Sequence, residues 1–241
     1  MTLLAPGPAA ADEVGGLSDD LARASLSLAR RFAAGGTMWC TSPQWPAHAH
    51  HVAVEFVHPV IVGKRALPGV AVGPDDVVGG LRVNARPGDM LVAVAGAGDA
   101  AVADAMRRAP AWGVETVWIG SGERPPSGAA DHVLWMPAAD PLAADEQFVR
   151  AYHLLWELTH VCFEHPGLVR AEVVCEGDAC ITCSDEGRLA EVVSVDGDEA
   201  LVRTSGGTEC VDTSLIDLPG PGDLVLVHAG SAITRLDEAA P

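Results

Sequence analysis

The chain has little positive charge: its 241 residues include 15 Lys and Arg against 33 Asp and Glu, for a formal net charge of −18. So few basic groups can neutralise few phosphates, which disfavours nucleic acids and anionic membrane surfaces as partners. The sequence also lacks an apolar run long enough to cross a membrane. We expect a protein, a small molecule or a metal ion as the partner instead.

The sequence shows no charged segment followed by an apolar one of the kind that directs secretion. We therefore expect a cytoplasmic protein. In that compartment the six cysteines are expected to be reduced, metal-bound or reactive rather than paired in a disulfide framework. Cys40 and Cys162 lie in apolar surroundings, which is typical of small core residues.

Residues 14–166 alternate strand-like and helix-like segments, which predicts an α/β domain with a parallel sheet flanked by helices. The segments that predict strands are 37–40, 89–95, 114–119 and 131–136. The segments that predict helices are 17–34, 48–57, 99–111 and 142–164. The aromatic residues of the last helix share one face, which indicates a core position for Phe148, Tyr152 and Trp156.

From residue 188 the pattern changes to an alternation of apolar and polar residues with period two. Such alternation is typical of half-buried strands, and Gly197 and the pair Gly206-Gly207 supply hairpin turns. We therefore predict a second domain over residues 174–241, most simply a small all-β barrel.

The most specific motif is the run G-D-L-V-L-V-H-A-G-S-A-I at residues 222–233, followed by L-D-E at 236–238. The run resembles the signature of the HypC/HupF family, the small chaperones of NiFe-hydrogenase assembly. The resemblance implies a chaperone rather than an enzyme. Such a chaperone, together with a HypD-like iron–sulfur partner, carries iron bearing cyanide and carbon monoxide to the hydrogenase large-subunit precursor.

The same resemblance implies Cys180 as the iron ligand and His228 as its neighbour. A soft thiolate suits low-spin iron, and an imidazole can bind the metal or accept the thiol proton. The sequence departs from the family after this cysteine, because Ser184-Asp185 replaces a Pro-Gly pair and Cys180 is internal to the chain.

The cysteines of this region are also compatible with another site. Cys175, Cys180 and Cys183, with the later Cys210, have the spacing of a plant-type 2Fe–2S loop. Four thiolates can equally bind zinc. An iron–sulfur or zinc module therefore stays open beside the iron carrier, as does a purely structural role for the extra cysteines.

Residues 17–164 resemble the SIS (sugar isomerase) fold, and in particular the phosphoheptose isomerase group. The segment A-H-H-V-A-V-E-F-V at 49–57 is similar to that group's Q-H-F-A-A-E-L segment. The resemblance implies a metal- or substrate-side histidine at His51 and a base at Glu55, which share one face of a helix. It also implies a homodimer formed through this domain.

The phosphate loops depart from that family, whose two loops cradle the anion with hydroxyls and amides at helix N-termini. Here the first loop, residues 40–46, contains two prolines, and the second, residues 95–100, has no hydroxyl and adds the carboxylate of Asp99. The paired histidines of the family's last helix fall near Tyr152 and Glu157, with His153 and His160 displaced. We therefore expect a degenerate phosphosugar site, with phosphosugar isomerase or sugar-phosphate binding as the alternative function.

Overall fold

The computed structural model describes residues 8–137, 141–169 and 187–236. The helices of the first part of the chain are α1 (Pro8–Ala33), α2 (Pro46–Val57), α3 (Val77–Asn84), α4 (Ala100–Arg108), α5 (Pro141–Glu164) and α6 (Pro166–Val169), with a 3-10 turn at Ala109–Trp112. Its strands are β1 (Met38–Thr41), β2 (Gly69–Ala71), β3 (Met90–Val94), β4 (Glu115–Ser121) and β5 (His132–Met136). None of the described helices combines the length and the apolar character needed to span a membrane.

The five strands form one parallel sheet in the order β2-β1-β3-β4-β5. All five residues of β3 are buried, as expected for a central strand that is covered on both faces. One apolar core packs the sheet against α1, α2 and α5, and a second packs its other face against α3 and α4. The predicted aromatic face of α5 lies in the first core, where Phe148, Tyr152 and Trp156 are buried.

The second part of the chain closes into a five-stranded barrel in the order β10-β8-β7-β6-β9. Its strands are β6 (Arg188–Asp196), β7 (Glu199–Thr204), β8 (Gly207–Asp212), β9 (Leu224–His228) and β10 (Ser231–Leu236). Alternate residues of these strands fill the interior with small side chains, mostly alanine and valine. The hairpin turns fall at the predicted glycines, since Gly197 and Gly207 have φ angles of 62° and 122°.

The predicted fold class, an α/β domain followed by a small β-barrel, is confirmed. The prediction was wrong at the start of α1, which begins at Pro8 rather than at Leu17. It also missed strand β2 and helix α3, which lie between the predicted helix 48–57 and the predicted strand 89–95. Cys40 and Cys162 are buried, as predicted for core residues.

The outer face of β6 and β9 packs against the α/β domain through a buried carboxylate, that of Glu191. Its side chain is only 3% exposed and accepts hydrogen bonds from Trp112 Nε1 at 2.9 Å and from the guanidinium of Arg82. Arg108 Nη1 lies 3.2 Å from the same carboxylate and also donates to the carbonyl oxygen of Gly222. Leu224 joins the second core of the α/β domain, so the two domains share apolar as well as charged contacts.

At the amino end of β4, the carboxylate of Glu115 is 10% exposed and hydrogen-bonded. Burial alone would raise its pKa, but hydrogen bonds from His132, Ser27 and Arg31 outweigh burial and lower the pKa from 4.5 to about 2. A depressed carboxyl pKa stabilises the fold above the unfolded-state pKa, and this contribution is lost as the pH falls towards about 2.

We therefore expect the free energy of unfolding to decrease between pH 5 and pH 2.5, and to decrease less steeply in Glu115→Gln. Urea unfolding followed by circular dichroism at several pH values measures both slopes. Glu123→Gln, at an exposed position, is the matched control and should keep the wild-type slope. If the free energy of unfolding of Glu115→Gln falls with pH as steeply as that of the wild type, the assignment of the lowered pKa to Glu115 is contradicted.

Candidate functional site

Three side chains that can bind a metal converge between α2 and α5. His51 and Glu55 lie one turn apart on α2, and His153 reaches them from α5. The Nε2 atom of His51 is 3.2 Å from Glu55 Oε1 and 3.3 Å from His153 Nε2. The Nε2 atom of His153 is 3.4 Å from Glu55 Oε1. The three side chains are 39%, 18% and 46% exposed in sequence order, so a dissolved ion can reach them.

Two imidazoles and one carboxylate, with ligand atoms within 4.8 Å of one another, form a donor set suited to zinc and other first-row transition ions. Three protein ligands leave at least one coordination position for water or a substrate. The helices set this spacing, because α2 buries Val52 and Phe56 on the face next to these ligands while α5 buries Tyr152.

A chain of polar contacts leads from the protein surface to His51. The carboxylate of Asp145 lies 2.8 Å from His48 Nε2, which favours a proton on this nitrogen. The His48 Nδ1 atom can then act as an acceptor, and the hydroxyl of Tyr152 lies 3.4 Å from it. The same hydroxyl is 2.7 Å from the Nδ1 atom of His51.

This chain has a consequence for His51. If the Tyr152 hydroxyl donates towards His48, its oxygen accepts the Nδ1 proton of His51. The Nε2 lone pair of His51 then points towards Glu55 and His153, as a metal ligand requires. Burial, together with the nearby Asp145 and Glu55, raises the pKa of Tyr152, so its hydroxyl keeps the proton that the chain needs.

The structure also shows what occupies the two degenerate loops. The Ser42 hydroxyl is buried and donates to the carbonyl oxygen of Val94 at 2.7 Å. The Asp99 carboxylate, at a residue only 7% exposed, caps α4 by accepting from the main-chain N–H of Val102 at 3.1 Å. A carboxylate therefore already occupies the positive end of this helix, where a phosphate would otherwise bind.

The predicted metal ligands of the second domain lie partly outside the described residues. Cys175, Cys180 and Cys183 belong to that part of the chain. Cys210 is an exposed free cysteine on β8. His228 is half-buried at the end of β9, opposite Ser231 of β10, and the turn that follows it contains Ala229 with a φ of 48°. These residues stay predictions as metal ligands.

Reasoning from the sequence missed His153, which was expected to be displaced from the site. The structure instead brings it to His51 and Glu55. The position of His153 in α5 could have indicated this contact. His153 directly follows the core residue Tyr152 and therefore lies beside the buried face of the helix. His160 is buried, and its ring nitrogens lie 2.9 Å from the Trp156 carbonyl oxygen and 3.0 Å from that of Arg65, which is a packing role.

The chain thus combines an α/β domain, in which helices cover a parallel sheet, with a closed β-barrel. These are the two fold classes that the sequence predicted. Residues 189–240 match the model of the HupF/HypC family. No curated protein matches the chain by sequence. The C-terminal resemblance to HypC/HupF chaperones is therefore confirmed over this segment.

Solved structures match the first domain. A phosphoheptose isomerase from Francisella tularensis superimposes with a TM-score of 0.51 at 12% identity, over 59% of this chain and 86% of that one. A phosphoheptose isomerase from Neisseria gonorrhoeae gives a TM-score of 0.48 at 16% identity, with the same coverage. At this identity the likeness to the Francisella protein shows the fold alone. The chain is thus an α/β domain with the fold of the Francisella isomerase joined to a HupF/HypC-like barrel.

Proposed function

We propose that this protein is a chaperone of hydrogenase maturation. The observation that carries the proposal is the match of residues 189–240 to the HupF/HypC family on a closed five-stranded barrel. That family supports a role in hydrogenase maturation, with other maturation proteins as partners. In this proposal the chaperone acts in the cytoplasm, as a homodimer formed through its α/β domain.

The cargo in this proposal is iron that bears cyanide and carbon monoxide, with Cys180 as its thiolate ligand and His228 beside it. The turn after β9 supports the role of His228, because it holds the half-buried imidazole at the rim of the barrel. An imidazole at such a rim can bind the iron or accept the thiol proton of an approaching cysteine. The partners are a HypD-like iron–sulfur protein and the hydrogenase large-subunit precursor.

An infrared spectrum tests the proposal. The protein is co-expressed with a HypD-like partner and purified without oxygen, beside Cys180→Ala and a Cys210→Ala control. We expect cyanide and carbon monoxide bands in the wild type and the control and none in Cys180→Ala. Absence of the bands from all three samples contradicts the iron carrier. A thiolate-to-iron charge-transfer spectrum or bound zinc that needs Cys175, Cys180, Cys183 and Cys210 together would instead support the iron–sulfur or zinc module.

A second candidate function, metal binding by the α/β domain, is favoured by the cluster of His51, Glu55 and His153. We propose that this cluster binds a divalent transition ion without turning over phosphosugars, because Asp99 occupies the end of α4. The isomerase alternative, with Glu55 as the base, predicts interconversion of aldose and ketose phosphates that is lost in Glu55→Gln. A turnover assay on the metal-loaded protein separates the two.

For the metal centre we expect calorimetry with Zn²⁺ to detect one site that His153→Ala abolishes. His50→Ala, at an exposed position on the same helix as His51, is the matched control and should bind as the wild type does. Tyr152→Phe keeps the ring but removes the hydroxyl next to His51, and should weaken binding by about 10–100-fold. Equal affinity in His153→Ala and the wild type would contradict the site.

A further inference from the structure

A cavity of about 240 Å³ opens where the barrel meets the α/β domain. Both domains contribute to its wall. The α/β domain supplies Arg82, Arg86 and Trp112, and the β7–β8 hairpin supplies Arg203, Thr204 and Thr208. Three arginines therefore surround one small space in a chain whose net charge is −18.

The charges of these arginines are only partly balanced by the protein. Arg82 is paired with the buried Glu191 on the side away from solvent. Arg203 donates from Nη1 to the main-chain carbonyl oxygen of Arg82 at 3.2 Å, which is a neutral acceptor. In the described part of the chain, no carboxylate lies within ion-pair distance of the guanidinium of Arg86 or Arg203, and the cavity wall contains no Asp or Glu.

Arg86 and Arg203 therefore place positive charge at the cavity wall that no carboxylate of the described residues neutralises, and this charge attracts an anion. The chain has carboxylates in excess, so the absence of one from this wall is not a consequence of composition. Arginine presents planar pairs of N–H donors that match two oxygens of a phosphate or carboxylate group. The exposed Thr208 adds a hydroxyl from the barrel side.

The rest of the wall restricts the size and shape of a ligand. The Trp112 ring is fixed by its hydrogen bond to Glu191 and by the guanidinium of Arg82, whose central carbon is 5.8 Å from the ring centroid. It therefore offers a rigid apolar surface rather than a donor. The volume falls below the range of about 300–1,000 Å³ that is typical of drug-sized ligands, which favours a small anion.

We propose that this junction cavity binds a phosphate group, held by Arg86 and Arg203 with Arg82 at its base. The phosphate is either free orthophosphate or the phosphoryl end of a small ester. Arg82 and Arg86 belong to one domain and Arg203 to the other, so the bound anion bridges the two. Binding therefore stabilises the docked arrangement of the domains and raises the melting temperature. The site is separate from the His51–Glu55–His153 cluster and does not depend on the hydrogenase proposal.

Calorimetry and thermal unfolding of the full chain, with orthophosphate and with glycerol 3-phosphate as probes, test this site. We expect saturable binding that raises the melting temperature and weakens as salt is added. Arg86→Gln and Arg203→Gln should each lower the affinity at least about tenfold, the loss of a charge-assisted pair. Arg150→Gln removes an exposed arginine of α5 and should leave the affinity unchanged.

The outcomes distinguish free phosphate from a phosphate ester as the ligand, and some of them would contradict the proposed site. Equal affinity for both probes identifies free phosphate as the ligand, and at least tenfold tighter binding of the ester identifies a small phosphate ester. Because Arg86 is exposed, its replacement leaves the core intact, which circular dichroism can verify. Binding that persists unchanged in both Arg86→Gln and Arg203→Gln, or no binding of either probe by the wild type, overturns the proposal.

Discussion

Replacing Glu191 with alanine is expected to lower the free energy of unfolding by about 3 kcal/mol, because it removes the acceptor of the buried Trp112 N–H and the ion-pair partner of Arg82, and leaves Arg108 with Asp104 alone. The carboxylate is 3% exposed and is the common acceptor for Arg82, Arg108 and Trp112. Its removal leaves the Trp112 N–H without its acceptor and two guanidinium groups close together in a restricted space. Urea unfolding at pH 7, followed by tryptophan fluorescence and circular dichroism, measures the loss.

We attribute this loss of stability to the position of Glu191 between the two domains. A variant of an exposed glutamate in the barrel is the matched control. Glu199→Ala removes an exposed carboxylate from the same barrel and should change stability by less than about 0.5 kcal/mol. Glu191→Gln keeps the shape and one acceptor, so it should fall between the wild type and Glu191→Ala. A loss below 1 kcal/mol in Glu191→Ala would mean that the carboxylate does not hold the domains together.

Gly120→Ala is expected to destabilise the central sheet by about 3 kcal/mol, at the upper end for an added methyl group that cannot be accommodated. A Cβ atom on Gly120 would lie 2.3 Å from Trp135 Cζ3 and 2.5 Å from the Ala95 carbonyl oxygen. The Trp135 ring is held by its hydrogen bond to the Gly122 carbonyl oxygen and by its contact with Trp118. The ring therefore cannot move aside without losing these contacts.

A glycine close to Gly120 in space supplies the control for this prediction. A Cβ atom on Gly96 meets nothing within 4 Å. Gly96→Ala should therefore change the free energy of unfolding by less than about 1 kcal/mol, because the added methyl group meets no atom and restricts the unfolded chain. Equal melting temperatures for Gly120→Ala and Gly96→Ala would show that the Trp135 ring can move at little cost.

The parts of the fold that could be predicted are those with a strong local pattern. The buried strands β3 and β4 are apolar runs, and the barrel strands alternate with period two. Strand β2 has only three residues and helix α3 contains two adjacent glycines, so neither carries enough periodicity to be recognised. The pairing of β2 with β1 is a tertiary contact, which a local pattern does not encode.

The candidate metal centre was predictable only in part, for a related reason. His51 and Glu55 share one helix, so their spacing alone places them together. The third ligand, His153, comes from a helix about a hundred residues later in the chain, and its position depends on how α5 packs against α2. The arginine cavity could not be predicted at all, because Arg86 and Arg203 meet only when two domains dock.

The docked barrel also limits the directions from which another protein can approach it. The outer face of β6 and β9 is covered by the α/β domain through Glu191 and Leu224. In the described part of the chain, β10 is separated from β6 by β9 on one side and by β8 and β7 on the other, so we expect an incoming protein to approach from the side of β10, which the rim with His228 adjoins. By covering β6 and β9, the α/β domain therefore restricts a partner protein to the other side of the barrel.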